Sequence, residues 1–143
     1  MKKIVFLAIV VLVFVAACAT TPQFTPLPYG VKVKPIPDLP KEIAAFSGIW
    51  YGIWDNGRPT TLVVQKIKPP KAEVIYSWGP IGKEREGGFT QHVGEIKPGK
   101  LEVAVPERQI TITYLLSGDG TLKGEFRVSK SIFYATMRRQ PPK

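Results

Sequence analysis

Few side chains in this sequence are equipped for chemistry. The 143-residue chain holds one Cys, Cys18, and one His, His92. A single Cys forms no intramolecular disulfide, and a single His excludes a His-rich metal site. A general base also needs an orienting partner and a nucleophile within hydrogen-bond reach. Around His92 the sequence offers Thr90, Gln91 and Glu95, at no triad spacing. His92 therefore reads as a polar contact for a ligand, or as a satisfied structural residue, rather than as a catalytic base. Glu73, Glu84, Glu86 and Glu95 could supply paired carboxylates, but Glu84-Arg85-Glu86 lies in a Gly-rich stretch typical of a solvated loop tip. The sequence predicts no catalytic residue, no metal site and no cofactor. What remains is aromatic: Trp50, Tyr51, Trp54, Tyr76 and Trp78. Such a set either lines a cup for a lipid, a glycan or an aromatic metabolite, or builds the core, since each large ring buries about 150–250 Å².

The lone Cys has a context of its own. Lys2 and Lys3 precede an unbroken apolar run of 14 residues, Ile4 to Ala17. That is short of the ~20 residues of an ordinary membrane span. A basic start, a short apolar run and small residues at its end describe a secretory signal over residues 1–17. The run closes as Val15-Ala16-Ala17-Cys18, which resembles the bacterial lipobox. The resemblance implies that Cys18 becomes the first mature residue and carries lipid on its sulfur and amino group. One acyl chain anchors marginally, at about 0.8 kcal/mol per buried methylene, and three would hold the protein on a membrane. In lipoprotein sorting an Asp after the Cys retains the protein in the inner membrane. Here Ala19 follows, which implies the periplasmic side of the outer membrane in an organism that has one.

Loss of residues 1–17 removes two Lys and no acid, leaving 18 basic against 11 acidic residues, a net charge of +7. A basic domain tethered to a membrane can rest on anionic head groups. Nucleic acid, the other common partner of such charge, is excluded by the export signal and by the lack of any nucleic-acid-binding motif.

Residues 18–45 read as the lipidated Cys and a tether. Between positions 19 and 40 six of 22 residues are proline. Proline fixes φ and removes a donor, so a regular helix or central strand is not expected there. The segment reads as a semi-rigid spacer of ~3.1 Å per residue, reaching at most about 70 Å. Lys32, Lys34 and Lys41 could hold it near phosphate groups or simply keep it soluble, and Phe24, Leu27 and Tyr29 could pack on the domain.

Residues 46–140 change rhythm. Alternation of period two, broken by turn residues, predicts an all-β domain of about eight short antiparallel strands. The strands are expected near 48–54, 60–68, 72–78, 89–96, 101–105, 109–116, 121–128 and 132–139. Asn56-Gly57 and Asp119-Gly120 are strong hairpin signals. Short links favour an up-and-down meander, and closure into a barrel removes the exposed edges. Leu122, Gly124, Phe126 and Val128 should face inward, as should Leu101, Val103 and Val105. Ala72, Val74, Tyr76 and Trp78 share one face. In the first strand Trp50, Gly52 and Trp54 share one face and Ile49, Tyr51 and Ile53 the other, without a sign of which is inside. The run 79–88 is the longest link and reads as a floppy hairpin, a lid or a contact loop. It lacks the order of a phosphate-binding loop.

Gly48-Ile49-Trp50 at the start and Arg138-Arg139 at the end resemble the calycin pattern of lipocalins, fatty-acid-binding proteins and avidins. The resemblance implies a small closed barrel in which a basic residue of the last strand covers the Trp at the sealed end. Trp50 with Arg138, or with its neighbour Arg139, is the candidate closing pair. The chain also resembles bacterial secreted domains that share Gly-x-Trp-x-Gly-x-Trp, Tyr-x-Trp-Gly, Asp-Gly-x-Leu-x-Gly and Met-x-Arg, here at 48–54, 76–79, 119–124 and 137–139. No activity follows from that likeness.

Taken together, the sequence predicts a lipid-anchored, non-catalytic envelope protein whose barrel binds a hydrophobic or amphipathic ligand. Trp54, Tyr76, Trp78 and His92 are the candidate ligand contacts, and Cys18 is the lipidation site. The alternative is an interaction module that engages an envelope protein, peptidoglycan or anionic lipid without a small ligand. No oligomeric state is predicted.

Overall fold

The computed structural model describes residues 24–83 and 85–141. The proposed signal segment and Cys18 lie outside the described residues. Eight antiparallel strands follow one another in meander order and close into a barrel: β1 (Gly48–Ile53), β2 (Pro59–Lys68), β3 (Lys71–Trp78), β4 (Gly88–Lys97), β5 (Lys100–Val105), β6 (Ile110–Leu116), β7 (Leu122–Val128) and β8 (Ser131–Arg139). The all-β meander read from the period-two pattern is the fold observed. Boundaries differ from the expected ones by a residue or so, because turn residues rather than apolar ones set them. The only α-helix among the described residues is one turn, α1 (Lys41–Ala44).

Alternation divides each strand. The wall facing inward includes Trp50 and Trp54, Leu62 and Val64, Ala72, Val74 and Tyr76, Ile96, Leu101 and Val103, Ile112 and Tyr114, Leu122, and Ala135 and Met137. The first strand thus resolves with Trp50, Gly52 and Trp54 inside. Gly52 sits at the β1–β8 seam, where an added Cβ would lie 2.5 Å from Met137 Sδ and 2.9 Å from Thr136 O. The seam closes tightly because that position has no side chain.

One end of the barrel is sealed. α1 and the residues after it fold Ile43 and Phe46 under the strands, where both are buried. Trp50 Nε1 donates to Phe46 O at 2.8 Å, which satisfies the buried indole. The Arg139 guanidinium lies 4.3 Å from the Trp50 ring centroid. It also donates to the carbonyls of Ser47 and Ala45. This corrects the choice of Arg138. Trp50 is the register partner of Arg139, whereas Arg138 sits opposite Tyr51 on the outer surface. One residue of parity sends the two arginines to opposite sides of the wall. Gly48 makes room for the contact: its φ is +121°, and a Cβ there would fall 2.7 Å from Arg139 Nη1.

The Pro-rich segment is not wholly a free spacer. Residues 24–34 run over the outside of β2 and β3. Thr25 Oγ1 and Thr61 Oγ1 are 2.6 Å apart, and Ser77 Oγ donates to Pro26 O. Farther along, Lys34 N donates to Gln65 O at 2.7 Å. Between these anchors Val63 and Ile75, register partners on the outer face, are fully buried. Leu27 is half-buried against the barrel, whereas Phe24 and Tyr29 stay exposed.

The barrel wall is uneven. β4 pairs with β5 only from Glu95 to Lys97 against Lys100 to Glu102, so their upper halves part. That opening lies at the end opposite α1, beside the links β1–β2, β3–β4, β5–β6 and β7–β8.

Candidate functional site

The open end holds a cavity of about 280 Å³. β3 contributes Tyr76 and Trp78, which alternation brings to the same inner face. β4 contributes Thr90 and His92 from the next inner face. Val105, Ile110, Ile112 and Phe126 form an apolar wall opposite, and Arg58, Glu107 and Arg108 come from the links at the rim. The parted edges of β4 and β5 let the cavity reach the side of the barrel, since Thr90 and His92 line one bank and Val105 and Glu107 the other.

Aromatic rings dominate its inner surface. Tyr76 and Trp78 stack at 5.6 Å between centroids with an interplanar angle of 28°. Phe126 is 6.0 Å from Tyr76 and meets Trp54 edge-on at 5.7 Å. These spacings are those of favourable aromatic pairs, so the rings pack on one another and stiffen the cavity wall.

Polar groups are placed within this apolar setting. His92 Nε2 and Thr90 Oγ1 are 2.8 Å apart. Burial lowers the His92 pKa, with Glu107 and Arg108 acting in opposite directions nearby. Burial also raises the Tyr76 pKa, against the pull of Trp54, Thr60 and Arg58. The Tyr76 phenol lies beside Trp54, Thr60 and Arg58, which favour its ionised form, and Thr60 Oγ1 also donates to Ser77 O at 3.0 Å. Tyr114 is completely buried, which pushes its pKa well up, and the Tyr76 phenol beside it adds to the shift.

The His92 shift has a consequence for stability. The folded chain protonates His92 less readily than the unfolded chain, whose imidazole titrates near 6.5. As the pH falls through that value the unfolded state takes up its proton first, so this group's contribution to stability is present above about pH 6.5 and is lost as the pH drops toward the folded pKa. His92→Gln is expected to flatten that part of the acid slope. Urea midpoints of both chains at about pH 7.5 and about pH 5.5 check this, and parallel slopes would contradict it.

Of the residues singled out in the sequence, Tyr76, Trp78 and His92 line the cavity. Trp54 is buried beside it and contributes through Phe126 and Tyr76 rather than as part of the lining. The 79–88 link turns back on itself through a bridge between Ile81 and Arg85, and none of its described residues lines the cavity. Arg58, Tyr114 and Phe126 were not singled out. Phe126 alternates onto the inner face of β7, and with it into the cavity wall. Arg58 follows Asn56-Gly57, a turn that a meander places at the same end as the 79–88 link. Tyr114 has a signal of the same kind: it shares the apolar face of Ile110, Ile112 and Leu116, opposite Thr111 and Thr113. Among the described residues no cluster of His, Cys, Asp and Glu could hold a metal ion. A larger groove of about 380 Å³ lies on the outside around Pro69, Pro70 and Lys71, lined by exposed lysines and Val93. It has no buried polar group and is shaped by a surface turn.

No protein-family profile matches the chain, and no curated protein sequence matches it. Among solved structures it is similar to a designed protein described as a fluorescence-activating β-barrel. That likeness has a TM-score of 0.50 at 15% identity, over 71% of this chain and all of the designed one. It establishes the barrel fold.

Proposed function

We propose that this chain is a lipid-anchored envelope protein whose barrel binds a small hydrophobic or amphipathic ligand at its open end, without catalysing a reaction on it. The observation that carries the reading is the cavity itself: one end of the barrel is plugged by Phe46, Trp50 and Arg139, while the other is hollow, aromatic and accessible. A cleft lined by apolar and aromatic side chains with a few convergent polar groups is the usual form of a small-molecule site. Binding rather than catalysis is supported by the surroundings of His92, whose hydrogen-bonding neighbour is the Thr90 hydroxyl and not a carboxylate. Anchoring rests on Lys2-Lys3, the run Ile4–Ala17 and Val15-Ala16-Ala17-Cys18. The strap at 24–34 would then keep the barrel close to the membrane and shorten the reach of the tether.

Methyl-labelled NMR tests the site. Titration with a panel of small amphiphiles is expected to shift Val105, Ile110 and Ile112 at the open end while Leu62 and Met137 stay still. Shifts confined to the outer surface, or none with any compound, would contradict the reading. One observation favours the interaction-module alternative: Lys66, Lys68 and Lys71 surround the outer groove beside exposed Val93, a basic surface suited to anionic head groups. Shifts of Val93 on adding anionic vesicles would support it.

A further inference from the structure

The strap has a direction. Phe24 lies at the open end: its carbonyl oxygen is 2.8 Å from the point where a Cβ on Gly79 would stand, in the β3–β4 link. Thr25 and Pro26 are held at Thr61 and Ser77, in the halves of β2 and β3 nearest the mouth. Lys34 is held at Gln65, farther down β2. The chain then enters α1 under the sealed end. It therefore runs from mouth to plug, and its upstream end leaves the barrel at the mouth.

That direction decides where an anchor on Cys18 pulls. Six residue steps separate Cys18 from Phe24. A fully stretched chain covers at most about 3.6 Å per residue, so the two lie within about 22 Å of each other. The sealed end is farther from Phe24 than that. β2 has ten residues. They make about 33 Å of strand, or about 25 Å of height at the usual barrel tilt.

The mouth half of the barrel also carries an apolar outer arc. Phe24, Ile53, Phe89, Ile132 and Tyr134 are large, apolar or aromatic, and exposed. Ile132 and Tyr134 stand on the outer face of β8 and Ile53 on that of β1, and just beyond Ile53 the Asp55 amide donates to Tyr134 O at 2.9 Å. Phe24 follows, over β2 and β3. Phe89, on β4, is the register partner of Ser77, whose hydroxyl holds the strap. The five thus follow successive strands around the mouth. Contiguous exposed apolar surface marks a protein or membrane contact, and side chains of this kind settle at the level of lipid head groups. Lys83 and Lys130, exposed on the adjoining links, suit an anionic surface. Toward the sealed end, Lys66, Lys97 and Lys100 are paired with Glu73, Glu95 and Glu102.

We infer that the open end of the barrel docks on the bilayer that holds Cys18, with this arc in the head-group layer and the cavity mouth turned toward lipid. This rests on the reading of Cys18 as the anchor. The short link above Phe24 brings the mouth to the membrane, and the arc holds it there.

The test uses the full chain, purified with its lipid from the cell envelope and reconstituted in vesicles of phosphatidylcholine and phosphatidylglycerol. Cys18 is the only cysteine, and its sulfur is blocked by the lipid on this reading, so Lys130→Cys at the open end and Lys97→Cys at the sealed end each offer one thiol to a fluorophore. Quenching by a spin-labelled head group is expected to be at least about twofold stronger at 130 than at 97. Phe24→Ser combined with Tyr134→Ser removes two exposed rings, leaves the urea midpoint in place and should cut the quenching at 130 by about half. Equal quenching at the two positions, stronger quenching at 97, or quenching at 130 that the double variant leaves unchanged overturns the inference and leaves the anchor standing. A purified chain whose mass shows no acyl group on Cys18 overturns both.

Discussion

Replacing Trp50 with alanine is expected to destabilise the fold by about 3–5 kcal/mol, the range for truncating a large buried aromatic ring. The indole is almost wholly buried, fills the sealed end and donates to Phe46 O. Truncation removes that filling and leaves the Phe46 carbonyl without its donor, while Phe46 and Ile43 lose the surface they pack on. The same region separates the two arginines. Arg139→Met removes a guanidinium that covers the Trp50 ring and holds the carbonyls of Ser47 and Ala45. Its loss should cost about 1–2 kcal/mol. Arg138→Met, on the outer surface, should change stability by no more than about 0.5 kcal/mol. Urea unfolding of the three variants checks the order. Equal effects at 138 and 139 would contradict the assignment of the closing pair.

Trp78→Ala is expected to lower ligand affinity at least about tenfold, because hot-spot losses of that size come from aromatic residues that wall a desolvated pocket. Trp78 stacks on Tyr76 and stands at the accessible end of the cavity. It is only half-buried, and its ring lies over the backbone at Gly88, where an added Cβ would come within 2.8 Å. The stability cost should therefore be modest, about 1–2 kcal/mol, well below that of Trp50→Ala. The contrast between the two tryptophans is the useful result: one carries the fold and the other the site. Binding isotherms and unfolding curves on the same preparations separate the two effects, and a Trp78→Ala chain that binds as tightly as the parent would contradict its role.

The barrel was legible because its signals are local. Period-two alternation in Leu122–Val128 and Leu101–Val105, and turns such as Asp119-Gly120, mark strands and links without knowledge of distant contacts. Asp119 illustrates this: its Oδ1 accepts from both the amide and the hydroxyl of Thr121, closing the turn within three residues. Parity decides the rest, and parity is easily lost. Arg138 and Arg139 are adjacent and chemically alike, so only the pairing of Trp50 with Arg139 assigns the contact. Ile110, Ile112, Tyr114 and Leu116 share one face of β6 and Thr111, Thr113 and Leu115 the other, so alternation itself points Tyr114 inward.

The strap was legible only in part: packing of Leu27 on the domain could be read from the sequence, the hydrogen bonds that pin the segment could not. Proline argues against regular structure, yet an extended segment can still be pinned by hydrogen bonds at Thr25, at the Pro26 carbonyl and from the Lys34 amide. The signal lay in its partners. Leu62-Val63-Val64 and Val74-Ile75-Tyr76 are apolar on both faces, the mark of strands covered on both sides. The candidate site was partly legible because the meander places Tyr76, Trp78 and His92 on neighbouring inner faces. Arg58 was not, because its place at the rim depends on where the β1–β2 link lies in the closed barrel.

Native mass spectrometry of the chain, purified from cells without harsh detergent, shows whether the barrel holds a ligand. A hollow walled by stacked aromatic rings should retain a small molecule through gentle purification. A reproducible non-covalent adduct of compact mass is expected, lost on Trp78→Ala and retained on Arg138→Met. A bare mass under the same conditions, with no adduct formed on adding small aromatic or amphipathic compounds, would contradict it and turn attention to the outer surface of the barrel.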